Sequence, residues 1–206
     1  MKVIRPFGPT IAKVKIPQEI INDLNNYVDK IVIDTKKSKD LDYGKKLAGN
    51  VQQEFILEKD FLILSGWENF LKENTEKWIN DSINKKISEF KIISSWIVRQ
   101  FSNEYNPIHY HSGHISGVGY LKLPKAFGKT VQDGKINHNG YLDLIHGSEM
   151  FLSPATLHIK PEIGDFYFFP NYMMHCVYPF TNTNEERRSI SFNAKIDNNI
   201  YSLPDV

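Results

Sequence analysis

The chain has 206 residues, 41% of them hydrophobic and 13% aromatic, which is enough apolar material to bury one sizeable core and too much for a disordered chain. With 25 basic residues against 24 acidic ones the net charge is +1, so no bulk field recruits nucleic acid or an acidic membrane, and partners have to be argued from sites. The single cysteine, Cys176, excludes an internal disulfide. Charges and prolines interrupt MKVIRPFGPTIAKVK where a signal peptide needs an apolar core, and no stretch approaches a membrane span; a soluble, cytoplasmic protein is expected.

In chain order, Ile11 to Ile16 alternates apolar and polar residues as a half-buried strand does, and Pro17 ends it. Ile20, Ile21, Leu24, Tyr27, Val28 and Ile31 recur at helical spacing behind that proline and predict an amphipathic helix. The run Asp34 to Asp42 is charged and aperiodic, and reads as a solvated connection. From Phe61 to Ile83 the apolar set predicts one long or two short helices, with Gly66 as the break.

After Phe90 the texture changes to short β-branched and aromatic runs divided by Gly, Pro and Asn: Ile92 to Phe101, Gly117 to Leu123, Tyr141 to Ile145, Phe166 to Phe169 and Ser189 to Ile196. Strands so spaced indicate a sandwich or barrel. Helices first and strands second predict an α+β fold with helices packed outside a β-sandwich. No linker divides the chain, so a single domain is expected over 1–206, with 1–89 as mainly helical support and 90–196 as the β core. The long segment Lys125 to Pro161 reads as a hairpin insertion, a lid over the mouth.

The chemistry concentrates in two places. In NPIHYHSGHISGVGYLKLP, His109 and His111 stand two apart, which on a strand projects both imidazoles from one face as a grip for a divalent metal; His114 follows in the adjoining loop. Fifty residues on, GDFYFFPNYMMHCVYPF carries His175 after an apolar strand whose aromatics suit a cavity wall. Twelve residues beyond His175, alternation places Arg187, Ser189, Ser191 and Asn193 on one face of a strand. A guanidinium fork beside a hydroxyl forms a carboxylate clamp.

These stretches, in this order, resemble the 2-oxoglutarate and Fe(II) dependent oxygenases, in particular the prolyl-hydroxylase-like branch that carries an HxH motif, over about Phe90 to Ile196. The resemblance implies a double-stranded β-helix, that is a jelly-roll or cupin-like core, flanked by the N-terminal helices. It implies His109 and His175 as iron ligands, and His111 where most of the superfamily has Asp or Glu. Arg187 and Ser189 would hold 2-oxoglutarate, with Asn193 and Tyr120 also at the cosubstrate. His114 would face substrate or support the metal site from behind.

His111 has three readings: a third histidine ligand, a bystander leaving an open position as in halogenating relatives, or the first ligand in a register that also uses His114. Glu54, Asp143 and Asp165 remain alternative carboxylates. The activity implied is a dioxygenase, hydroxylating a peptidyl residue, prolyl-type, or a small metabolite through ferryl hydrogen abstraction, with O2 consumed and ascorbate as a possible reductant. The competing class is a cupin-like metal-binding module without oxygenase activity. Expected partners are a peptide or small-molecule substrate, with no specific nucleic acid and no membrane, and a homodimer is compatible.

Overall fold

The structure of the protein is a computed structural model that describes residues 8–202; the reading of the opening segment, Met1 to Phe7, lies outside them. The first half runs β1 (Ala12–Lys15), α1 (Gln18–Ile33), α2 (Thr35–Asp40), a 3-10 turn (Gly44–Lys46), β2 (Gln53–Ile56), α3 (Lys59–Leu64) and α4 (Trp67–Ile83). Then follow β3 (Phe90–Gln100), β4 (Asn106–His109), β5 (Ile115–Lys122), β6 (Leu142–Ile145), β7 (Thr156–Ile159), β8 (Asp165–Pro170), β9 (Met174–Val177), β10 (Arg187–Ile196) and α5 (Asn198–Tyr201).

The strands form two antiparallel sheets, one of six strands in the order β1-β8-β5-β10-β3-β2 and one of four in the order β4-β9-β6-β7. This is the jelly-roll core with helices outside it. Period-2 alternation assigns each strand's faces. On β10, Ile190, Phe192 and Ala194 join Ile97, Phe166 and Phe168 in a core packed against Leu24, Val28, Trp67, Leu71 and Trp78 of the helices. The opposite faces carry Val118, Tyr120, Tyr167 and Phe169, which pack against Leu142, Leu144 and Ile159 of the smaller sheet.

Close packing on the helix side explains a glycine. A Cβ on Gly119 would sit 2.4 Å from the Phe166 ring and 2.9 Å from the Asp165 carbonyl oxygen, so only glycine lets β5 and the Phe166 side chain share this space. On the same face Arg188, 1% exposed, reaches Asp29 of α1 at 2.6 Å and also bonds Glu186, which itself binds Arg99 at 2.7 Å. That network ties the first helix to the large sheet.

Three expectations change. The charged run after α1 is not a plain connection but holds α2, whose residues are all at least partly exposed; Asp34 accepts from the backbone N–H groups of Lys36 and Lys37, both at 3.0 Å, so a cap sustains it where an apolar stripe is missing. Of the aromatic run, only Phe169 lines the site described below; Phe166 and Phe168 turn to the helices because neighbouring strand residues face opposite ways. Residues 125–161 do not form one external hairpin: β6 and β7 are integral strands of the four-stranded sheet, β6 pairing with β9.

Candidate metal centre and cosubstrate cavity

A cavity of about 240 Å³ lies between the two sheets, lined from the large sheet by Glu54, Trp96, Val98, Arg187, Ser189 and Asn193. The small sheet contributes His109 and His175, and His111 follows from the segment after β4. From 125–161 only Leu142 reaches the wall, whereas Lys46, Leu47 and Ala48, ahead of β2, border it.

Register explains why the histidines meet. His109 on β4 is the cross-strand partner of His175 on β9, which is itself opposite Leu144 on β6. Facing residues of antiparallel strands stand side by side, and the two rings lie 4.2 Å apart between centroids. His111 is past the end of β4. Its backbone N–H donates to the Asn171 carbonyl at 2.9 Å and its carbonyl accepts from the Asn171 amide, which turns the imidazole back to 4.7 Å from that of His175. One ligand atom from each of the three histidines lies within 4.8 Å of the others.

The hydrogen bonds define the tautomers. His109 Nδ1 lies 2.7 Å from the Pro107 carbonyl oxygen and His175 Nδ1 lies 2.8 Å from that of Met173; a carbonyl can only accept, so both Nδ1 atoms carry the proton. His111 Nδ1 lies 2.9 Å from Ser116 Oγ, and that hydroxyl spends its own proton on Asn193 Oδ1 at 2.6 Å, so it accepts from His111. Each imidazole therefore keeps its lone pair on Nε2, the atom free to bind a metal. Burial lowers all three pKa values: His111 falls to about 4, with the neighbouring His109 adding to the effect; His109 falls as well; and His175, 5% exposed, falls well below the ordinary value. Three neutral nitrogen donors with fixed orientation suit a borderline divalent cation such as iron(II).

On the cavity wall, Arg187 is 1% exposed, and its Nε and Nη2 have no hydrogen-bond partner among the described residues; Nη1 donates to Ser189 Oγ at 3.3 Å. The guanidinium sits 5.0 Å from the centroid of the Tyr120 ring, whose buried hydroxyl is also unpartnered. Burial pulls the arginine's pKa down, the signature of a cation without a counter-ion. A buried cation with free donors fits an incoming carboxylate, and an anionic cosubstrate meets that requirement.

The other sequence-derived candidates fall as follows. Asn193 lines the cavity, but its side-chain oxygen holds Ser116, and through it His111. His114 does not line the cavity: its Nδ1 accepts from the Ile196 backbone and its ring stacks at 4.0 Å on Tyr201, which pins it to the end of β10. Asp143 is engaged by His158 at 2.8 Å and Tyr178 at 3.0 Å, and Asp165 by Lys13 at 2.7 Å and by Lys15; neither joins the cluster. Glu54 faces the cavity, outside the cluster. Ser116 was invisible to motif reading. Its only sequence signal is that it shares a strand face with Val118 and Tyr120.

Residues 94–193, just under half of the chain, match the family model described as "Putative 2OG-Fe(II) oxygenase". No curated protein matches it in sequence. Among solved structures it is similar to a prolyl-4-hydroxylase of Pseudomonas putida, with 13% identity over 89% of this chain and 91% of that one and a TM-score of 0.59. It is similar also to a prolyl hydroxylase of Trichoplax adhaerens solved with a peptide fragment of the hypoxia inducible factor oxygen degradation domain (12% identity, 95% and 87% covered, TM-score 0.58). A third is HygX of Streptomyces hygroscopicus, solved with nickel, 2-oxoglutarate and hygromycin B (9% identity, 89% and 82% covered, TM-score 0.57). At such identities these likenesses speak for the fold.

Proposed function

We propose that the chain is a hydroxylase in which His109, His111 and His175 hold iron(II), while Arg187 and Ser189 hold the distal carboxylate of 2-oxoglutarate. The observation carrying this reading is one cavity that unites three Nε2 lone pairs with a buried guanidinium whose Nε and Nη2 have no partner among the described residues. A structural metal site has no use for the second feature. When bound, the iron and its cosubstrate supply oxidative chemistry with dioxygen, converting a C–H bond to C–OH as 2-oxoglutarate becomes succinate and carbon dioxide.

The chain's own residues orient and exclude. Pro107, Met173 and Ser116 hold the ligand tautomers; Phe169 lies against His175 at 5.1 Å and Trp96 against His111 at 5.4 Å, keeping water from two of the rings. His111 is read as a ligand and not a bystander, because the Ser116–Asn193 relay leaves only its Nε2 to face the cavity. The substrate is a peptidyl residue, prolyl-type, or a small metabolite. Aerobic incubation with iron(II) and 2-oxoglutarate is expected to release succinate, and His175→Ala and Arg187→Ala are expected to release none. Wild-type protein that binds iron yet consumes no 2-oxoglutarate across a substrate panel contradicts the proposal.

A further inference from the structure

The oxygenase reading leaves one buried charge of the cavity without a task. Glu54 is 1% exposed, and neither of its carboxylate oxygens has a hydrogen-bond partner among the described residues. An orphaned carboxyl is costly to bury, and structures that keep one need a reason. Strand register shows where it points. Glu54 on β2 faces Val98 on β3, Val98 faces Ser189 on β10, and Ser189 faces Tyr120 on β5, so these four form one row on the inner face of the large sheet. Glu54 ends the row about two strand spacings, roughly 10 Å, from Ser189. Among the described residues, the cavity thus carries a cation without a counter-ion on one side and a carboxyl without a partner on the other.

The surroundings of Glu54 suit a positive ligand. Asp42 and Glu104 add negative potential and, with burial as the larger cause, push its pKa up to about 7. The cation bordering this end of the cavity, Lys46, is placed 5.2 Å over the Tyr43 ring instead of on the carboxylate. The chain has also kept room for the carboxyl: a Cβ on Gly49 would come within 2.8 Å of Glu54 Oε1 and 3.0 Å of Asn106 Nδ2. We propose that Glu54 is the substrate-recognition residue of the cavity and that the substrate bears a cationic nitrogen, an amine or guanidinium, whose N–H groups donate to the Glu54 carboxylate. The assignment rests on the oxygenase reading. Charge then sorts the two ligands: the dianionic cosubstrate is drawn to Arg187 and repelled from Glu54, and the amine does the reverse.

The test is equilibrium binding, under anaerobic conditions, to protein loaded with iron(II) and 2-oxoglutarate. The probes are amino acids, aminosugars and alkyl polyamines, each paired with its N-acetylated form, titrated by calorimetry. Free amines are expected to bind more tightly than their acetylated partners, and Glu54→Gln, which keeps the shape and removes the charge, to weaken them about 10–100-fold, the effect of losing a hydrogen bond to a charged group. Gly49→Ala, which crowds the carboxyl without touching its chemistry, is expected to weaken them too. Acetylated forms binding as well as free amines, or Glu54→Gln binding amines like the wild type, overturns the assignment. The charge-transfer absorption of the iron and 2-oxoglutarate complex separates the two readings: where it forms in both proteins and amine affinity is unchanged, Glu54 loses its role and the oxygenase reading stands; where it forms in neither, both fall.

Discussion

At the scale of single residues, the site depends on groups that touch no ligand. Ser116 is a positioning residue: it accepts the His111 proton and gives its own to Asn193. Ser116→Ala is expected to weaken metal binding about 10–100-fold, as loss of such supporting partners does, measured by competition with a chromophoric chelator. Arg187 makes the opposite kind of prediction. Its buried charge lacks a counter-ion, so Arg187→Met is expected to leave the ligand-free protein as stable or more stable by about 1–4 kcal/mol. The same variant is expected to show no stabilisation by 2-oxoglutarate, and thermal melts with and without cosubstrate check both halves.

At the scale of elements, the histidine-bearing strands and β2 impose opposite pH dependences. The histidines of β4, its C-terminal extension and β9 have folded pKa values below the ordinary 6.5, His111 at about 4. The unfolded chain therefore binds more protons in that window. Their contribution is complete above pH 6.5 and is lost as the pH falls toward 4, at about 1.4 kcal/mol per pH unit for each proton taken up. Glu54 on β2 runs the other way: its folded pKa of about 7 exceeds the ordinary 4.5, so the fold holds a proton that the unfolded chain releases, and stability falls as the pH rises from 4.5 through 7. Glu54→Gln is expected to match the wild type below pH 4.5 and to exceed it above pH 7 by on the order of 3 kcal/mol, in denaturant melts across that range.

The same elements show what a reader of the sequence can and cannot see. β3, β5, β8 and β10 are legible because each is a long run of apolar and aromatic residues, and α1 and α4 because their apolar stripes recur at helical spacing. β2 and β9, four residues each, carry too little pattern, although they hold Glu54 and His175. α2 rests on one capping aspartate and not on periodicity. The histidine pair, the later histidine and the Arg-x-Ser strand are legible through order and spacing. The Ser116–Asn193 relay and the Glu54 row are not, because they arise from the register of strands distant in sequence, 77 residues apart in the first case and drawn from β2, β3, β10 and β5 in the second.

For the whole molecule, the jelly roll brings His109 and His175 of the small sheet, with His111 beside them, against the buried Arg187 of the large one, and the Arg188, Glu186 and Asp29 network ties the first helix to the large sheet. In the proposed site, three neutral imidazoles would leave the bound ion's charge undiminished. The cosubstrate then brings the negative charge, so metal and 2-oxoglutarate are expected to bind with positive coupling, each raising the other's affinity by the same factor. The most direct measurement is anaerobic addition of iron(II) and 2-oxoglutarate, followed by visible absorption. A charge-transfer band is expected in the wild type and absent in His109→Ala, His111→Ala, His175→Ala and Arg187→Ala. A band that survives the loss of any of the three histidines, or never forms in protein that has bound iron, contradicts the account.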